Sequence, residues 1–232
     1  MQGVSFVIPA YNEEHRIAPT LHKCLEQFAK YENFEIIVVD DGSTDNTAFV
    51  VKQYSESNKK ILLIQLGQNF GKGRAIQEGI LNSKFDRVLY LDSDGSADLS
   101  KVDYILSELD KGYDCVIGSR YLAESDAEIS FHRKVCSRVF NLFVRLVFGL
   151  NFTDTQCGFK GFRSESVKPI IKNLKIFRFA FDVELIWRLD KAGAKIREIP
   201  IRWVERGGTK VNLIKHGCSM VKDLILLRFG LK

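Results

Sequence analysis

The chain has 232 residues, 45% hydrophobic and 27% charged, with 34 basic against 29 acidic groups and a net charge of +5. That composition fits one folded α/β domain with at most a small appendage, and excludes a disordered or low-complexity chain. The positive charge is too mild to imply a nucleic-acid partner.

Its distribution is more telling. Up to about residue 115 carboxylates match or exceed basic groups, whereas the last hundred residues carry the basic excess. Five cysteines, Cys24, Cys115, Cys136, Cys157 and Cys218, are widely spaced without a CxxC pair. They argue against a disulfide framework or a structural zinc site and read as buried reduced thiols. The apolar run Val4 to Ala10 contains Ser5 and Pro9 and does not read as a secretory leader. No stretch reaches the roughly 18 to 20 apolar residues of a spanning helix. The expected location is cytoplasmic and not integral to a membrane.

Along the first half, short β-branched runs alternate with amphipathic helical stretches, the pattern of a parallel sheet with crossover helices. Val4–Ile8 reads as a strand closed by Pro9. Residues 13–28 read as a helix, with Ile17, Leu21, Cys24, Leu25 and Phe28 at helical spacing. Phe34–Val39 is a strand apolar on both faces, ending at Asp40-Asp41-Gly42-Ser43. Ser43 or Thr44 is placed to cap a helix reaching about Ser57. Ile61–Leu66 and Arg87–Leu91 are the next strands, with a helix over Arg74–Asn82 between them. A helix over Val102–Leu109 leads to a strand over Cys115–Gly118.

The second half is less regular. His132–Phe148 reads as a helix, Asp154–Phe162 as a turn-rich segment, and Asp182 as the cap of a helix to about Ala192. Phe177–Phe181 reads as core. Lys195–Val204 is expected as one strand and Leu213–Phe229 as a final amphipathic helix. His15, His22 and His216 have no ligand-spaced partners and read as surface or packing residues.

In open sheets of this kind, ligands bind beyond the carboxyl ends of the strands. Pro9–Glu13, Asp40/Asp41 and Asp92/Asp94 all fall there. Asp92 and Asp94, one residue apart after a buried strand, suit a hard divalent cation, with substrate phosphates and water completing its shell. A carboxylate of Asp40 or Asp41 can accept hydrogen bonds from a nucleobase or ribose. Gly71-Lys72-Gly73-Arg74 matches neither glycine-rich phosphate fingerprint. It leaves a helix N-terminus whose amides and basic side chains can face a diphosphate or lie against the base.

Four ordered segments, FVIPAYNEE (6–14), VDDGSTD (39–45), NFGKG (69–73) and DSD (92–94), resemble the motifs of inverting family 2 glycosyltransferases with a GT-A fold. Gly118-Ser119-Arg120, His132-Arg133 and DTQCGFK (154–160) resemble the polyprenyl-phosphate hexose synthases. The last of these, with Trp203 and Gly208-Thr209-Lys210, is most similar to dolichyl-phosphate β-glucosyltransferases. The resemblance implies a mostly parallel GT-A sheet flanked by helices over residues 1–210, with a nucleotide-sugar half (1–118) and an acceptor half (119–210). An amphipathic helix over 211–232 would follow.

It also implies roles. Pro9, Ala10, Tyr11, Glu13, Asp40 and Asp41 would hold the nucleoside. Asp92 and Asp94 would hold Mg²⁺ or Mn²⁺, with Ser93 and Lys72 beside the donor. Arg120, Arg133, Ser137 and Gln156 would meet the acceptor, and Arg206 and Lys210 the donor diphosphate. Ser96 stands where mannose-phosphate synthases often supply Gln, so the third metal ligand is open. The implied reaction moves a hexose, with inversion, to a polyprenyl or dolichyl phosphate. UDP-glucose is the first donor and GDP-mannose the second.

A monophosphate acceptor is already mostly dianionic at neutral pH, so no side chain is needed as an essential base. Arginine clamps suffice. A saccharide acceptor would need a carboxylate base, for which Asp154 and Asp182 are the candidates. A non-catalytic nucleotide-sugar module is the reading from another class, and the intact DxD stands against it. At ~100° per residue, residues 131–150 separate Arg133, Lys134, Ser137, Arg138, Asn141 and Arg145 from Val135, Val139, Leu142, Phe143, Leu146 and Val147. Such a helix can lie in a headgroup layer or pack on a core with its basic face in water. The first choice gives a peripheral protein on the cytoplasmic face of a membrane, with a membrane-embedded partner left open.

Overall fold

The computed structural model describes residues 2–96, 98–204 and 213–231. Arg206 and Lys210 lie outside the described residues. Seven strands form one sheet in the order β3-β2-β1-β4-β7-β5-β8. β1 (Val4–Ala10), β2 (Phe34–Asp40), β3 (Ile61–Gln65) and β4 (Arg87–Leu91) are mutually parallel. Their side chains alternate between two apolar clusters: Val7, Ile37, Val39 and Val88 on one face, Phe6, Ile8, Ile36, Val38 and Leu89 on the other. Burial on both faces is why these strands read as near-continuous apolar runs.

The helices α1 (Ile17–Phe28), α2 (Thr47–Ser57), α3 (Lys72–Asn82) and α4 (Val102–Asp110) cross between strands. Residues 13–16 form turns and not the predicted first helical turn. Pro19 sets that start, because a residue without an N–H is tolerated only in the first turn. Neither Ser43 nor Thr44 caps α2. Asp45 Oδ1 accepts from Thr47 N at 2.9 Å, while Ser43 Oγ accepts from Asn12 N and Asn12 Oδ1 accepts from Thr44 N. Those two bonds tie the loop after β1 to the loop after β2.

The largest departure lies in the second half. The segment predicted as turns contains β7 (Phe159–Arg163), which runs antiparallel between β4 and β5 (Cys115–Ser119). Gly161 and Lys160 hide it from a β reading. A Cβ on Gly161 would meet Ile105 at 2.3 Å, so α4 packs directly on the strand backbone. The predicted strand 195–204 divides at Ile201. β8 (Ile196–Pro200) pairs with β5, and β9 (Arg202–Val204) pairs with β6 (Asp126–Glu128) in a separate ribbon.

Three further helices complete the fold before the end of the chain: α5 (Phe131–Phe148), α6 (Ser164–Ile171) and α7 (Phe181–Lys191). The last helix, α8 (Leu213–Arg228), packs beside α5, where Arg228 Nε donates to Val147 O at 3.1 Å. Cys24, Cys115 and Cys157 are buried as expected, but Cys136 and Cys218 are exposed. Burial pushes the Cys24 and Cys157 thiols up to about 12.

Candidate active site

β1 has β2 on one side and β4 on the other, so the crevice at their carboxyl ends is the topological switch point of the sheet. A cavity of about 500 Å³ opens there, within the range of small-molecule sites. Pro9, Ala10, Tyr11 and Glu13 line it from the end of β1, Asp41 from β2, and Asp92, Ser93 and Asp94 from β4. Arg120, Arg133, Ser137 and Gln156 face the same space. Sequence reasoning therefore brings its main candidates together.

Asp40 is the exception. It is buried, absent from the cavity wall, and its Oδ1 accepts from Ser43 N at 3.2 Å. It closes the turn, and Asp41 is the carboxylate that faces the site. Asp41 accepts from Phe70 N at 2.9 Å and Gly71 N at 2.8 Å. Burial raises its pKa above the ordinary carboxylate value against the opposing pull of those two amides, with Asp40 adding to the rise and Arg178 opposing it. Glu13 is fixed as an ion pair, its carboxylate 2.5 and 2.7 Å from Arg16 Nε and Nη2.

The start of α3 behaves differently from the expectation. Gly73 N and Arg74 N both donate to Phe177 O, at 2.7 and 3.3 Å, so these amides do not face a diphosphate. Lys72 does the reaching. Its Nζ lies 2.6 Å from Asp92 Oδ1. Burial lowers the Lys72 pKa, but Asp92, Asp182 and Asp94 together outweigh it and hold the ammonium above the ordinary lysine value.

Asp94 Oδ1 accepts from Ser96 N at 2.9 Å, so Ser96 orients Asp94 through its backbone. Thr20 Oγ1 donates to Ser93 O at 2.8 Å, which pins the peptide between the two carboxylates. Among the described residues no group of three or more His, Cys, Asp or Glu side chains is placed to hold a metal ion. Two hard carboxylates on one cavity wall nevertheless fit Mg²⁺ or Mn²⁺, which commonly take one or two protein carboxylates and complete the shell with phosphate and water. The Lys72 ammonium against Asp92 shows that this position accepts positive charge.

Arg120 is not a free clamp. Its Nε and Nη2 donate to Asp154 Oδ2 and Oδ1 at 2.7 and 2.9 Å, and its backbone N donates to Oδ2 at 3.1 Å. Burial lowers the Arg120 pKa, but pairing with Asp154 carries it above the ordinary arginine value. Asp154 is in turn set by Glu198, whose carboxylate accepts from Thr153 N, Thr153 Oγ1 and Asp154 N, all at 2.9 Å. Asp154 is therefore a poor general base. Gln156 Nε2 donates to Phe179 O at 3.3 Å.

Other residues of the cavity wall were not expected there, or were expected in another role. Arg178 is exposed at its rim. Trp203 packs under the Arg120 guanidinium, 5.4 Å from its ring centre. His216, read as bland, lies against Phe179 with ring centres 5.0 Å apart. Asp182, expected as a helix cap and as a candidate base for a saccharide acceptor, sits one residue inside α7, whose N-cap is Ala180. It pairs with Lys160 at 2.6 Å. A lysine and a glycine between Phe159 and Phe162 were the available signal, readable only once 159–163 is known to be a strand.

The family model for glycosyl transferase family 2 matches residues 5–171. The chain belongs to that family. A dolichyl-phosphate beta-glucosyltransferase of Dictyostelium discoideum is 37% identical over 241 residues, covering 97% of this chain and 74% of that relative. The Homo sapiens protein of the same name is 33% identical over 241 residues, covering 97% and 74%. Among solved structures, glucosyl-3-phosphoglycerate synthase of Mycobacterium tuberculosis with Mn²⁺, UDP-glucose and phosphoglyceric acid superposes with a TM-score of 0.71. It is 19% identical and covers 99% of this chain and 80% of its own. The same enzyme was also solved with Mg²⁺ and UDP, at a TM-score of 0.70. The fold is thus GT-A, and this family 2 protein is a glycosyltransferase.

Proposed function

We propose that this glycosyltransferase moves glucose, with inversion, from UDP-glucose to the phosphate of a dolichyl-type lipid. The observation that supports it most is one cavity with two faces: carboxylates Asp92 and Asp94 on one wall, arginines Arg120 and Arg133 on another. The names of the relatives over 97% of the chain point the same way.

On this reading Asp41 accepts a nucleobase N–H, and Pro9, Ala10, Tyr11 and Glu13 shape the nucleoside pocket. Asp92 and Asp94 hold Mg²⁺ or Mn²⁺, which when bound stabilises the charge of the departing diphosphate. Lys72 then moves from Asp92 to a diphosphate oxygen, and Arg206 and Lys210 assist. Arg120, held in plane by Asp154, presents a fixed guanidinium to the acceptor phosphate, with Arg133 and Ser137 alongside and Gln156 nearby. The dianionic phosphate attacks without a protein base.

Residues 1–210 form the transferase domain on this reading and 211–232 its amphipathic helix. The protein works at the cytoplasmic face of a membrane on this reading, and α5 supports the membrane contact. Its Phe131, Val135, Val139, Leu142 and Leu146 are exposed, at 75%, 65% and 77% for Phe131, Val139 and Leu146. That apolar row faces outward, whereas Phe143, Val144, Val147 and Phe148 pack on the core and Arg133, Ser137 and Phe140 line the cavity. Lys134, Arg138 and Arg145 are exposed beside the apolar row, as contact with anionic headgroups requires. No helix among the described residues is long and apolar enough to cross a membrane.

The test is incubation with Mg²⁺ or Mn²⁺, dolichyl phosphate, and labelled UDP-glucose or GDP-mannose in parallel. Label extracted into organic solvent from UDP-glucose is the expected result. Label from GDP-mannose alone would replace the donor, and label from neither would overturn the acceptor.

A further inference from the structure

Lys160 is the one fully buried lysine among the described residues, at 0% exposure, and it stands in the middle of the sheet on β7. Burying an ammonium costs several kcal/mol unless every hydrogen is matched. Here all three are: Nζ lies 2.6 Å from each of Cys157 O, Tyr90 Oη and Asp182 Oδ1. Tyr90 Oη also donates to the same Asp182 oxygen. Burial, then Asp182, raises the Tyr90 pKa well above the ordinary phenol value, so the hydroxyl remains a donor. Asp182 sits in the first turn of α7, where the helix dipole further favours its charge.

Such an assembly holds one carboxylate fixed. That carboxylate lines the catalytic cavity and acts on Lys72 alongside Asp92 and Asp94. It belongs to neither the DxD pair nor the Arg120 clamp. Both charged parts of the substrates, the diphosphate and the acceptor phosphate, are anions and are repelled by a carboxylate not covered by metal. The part that lies between them is the neutral hexose, whose hydroxyls are donors for a carboxylate acceptor.

Resting on the donor reading above, we propose that Asp182 receives hydroxyl groups of the hexose being transferred, and that Lys160 and Tyr90 are its positioning residues. Asp182 thereby selects for the sugar, as Asp41 does for the base.

The experiment is calorimetric titration of UDP and of UDP-glucose, with Mg²⁺, into the wild-type chain, Asp182→Asn, Lys160→Met, Lys160→Arg and Tyr90→Phe, with thermal unfolding of each. Asp182→Asn is expected to bind UDP within about twofold of wild type and UDP-glucose about tenfold more weakly, the cost of one charge-assisted hydrogen bond. Tyr90→Phe and Lys160→Met should move the same way, with Lys160→Arg closer to wild type. If Lys160→Met does not fold, Tyr90→Phe and Lys160→Arg decide the positioning claim. Equal loss of UDP and UDP-glucose affinity would overturn the proposal in favour of a role at the diphosphate. Unchanged UDP-glucose affinity with transfer abolished would overturn it in favour of a general base. A wild-type chain that binds GDP-mannose and not UDP-glucose would refute the donor instead, and the same comparison with GDP and GDP-mannose would then decide Asp182.

Discussion

Gly158 and Asp92 are in direct contact across the junction of β7 and β4: a Cβ on Gly158 would fall 1.9 Å from Asp92 Oδ2 and 2.3 Å from its Cγ. Asp92 N also donates to Gly158 O at 3.1 Å. The antiparallel insertion of β7 therefore forms the back wall of the DxD carboxylate, and that wall has room only for hydrogen. Gly158→Ala must displace the Asp92 side chain, since the backbones are joined and cannot part. We expect folding to survive, because the displaced group borders a cavity. Turnover should fall at least a hundredfold, with Mn²⁺ affinity lost in step. Electron paramagnetic resonance of Mn²⁺ beside a Tm measurement separates the two; metal affinity unchanged in a folded variant would show that Asp92 has another place to go.

The contact between Lys72 Nζ and Asp92 Oδ1 at 2.6 Å gives a prediction with opposite signs for two ligands. In the unliganded protein the ammonium occupies charge that a divalent ion would use. Lys72→Met removes that competitor, so Mn²⁺ alone should bind severalfold more tightly. It also removes a cation for the diphosphate, so UDP in saturating Mn²⁺ should bind about tenfold more weakly. Both affinities falling together would mean that Lys72 supports the metal position and does not compete for it.

How much of this was legible in the sequence follows from periodicity. Val4–Ile8, Phe34–Val39 and Arg87–Leu91 announce themselves as buried strands, and a parallel sheet places the polar residues after them at one edge, so Tyr11, Asp41, Asp92 and Asp94 could be gathered without coordinates. β7 could not be found that way. Its Gly161 exists for the close approach of α4 and its Lys160 for a partner twenty-two residues on, and both look like turn chemistry when only neighbours in sequence are visible. Missing that strand also hid the roles of Gly158 and Asp182. The pairing of Arg120 with Asp154 was hidden for the same reason, because partners thirty-four residues apart leave no mark on local pattern.

That pairing changes the meaning of a substitution. Asp154→Asn would once have tested for a catalytic base. With both oxygens on Arg120, it instead leaves a buried guanidinium without its counter-charge, which costs about 3–5 kcal/mol for a pair of this kind. The expected result is a Tm lowered by several degrees, a raised KM for the prenyl phosphate and unchanged affinity for UDP. Glu198→Gln, which keeps acceptors for Thr153 N and Asp154 N, should show a weaker form of the same pattern. A selective fall in kcat with KM and Tm untouched would restore the base role for Asp154.

The outward apolar row of α5 leads to the last prediction. Val139 and Leu146 lie two turns apart on the exposed face, away from Arg133 and Ser137 at the cavity, so charge can be added there without touching the site. On the membrane reading, Val139→Glu with Leu146→Glu replaces two inserted side chains by groups that anionic headgroups repel. Sedimentation with vesicles containing anionic lipid should fall at least tenfold, and transfer to long-chain dolichyl phosphate in those vesicles should fall with it. Transfer to a short, water-soluble prenyl phosphate should persist, because Arg120, Arg133 and the donor pocket are unchanged. Loss of transfer to both acceptors would place the effect in the fold of α5. Full vesicle binding by the double variant would move the membrane contact to another surface, with exposed Phe229 and Leu231 beyond the end of α8 the next to be changed.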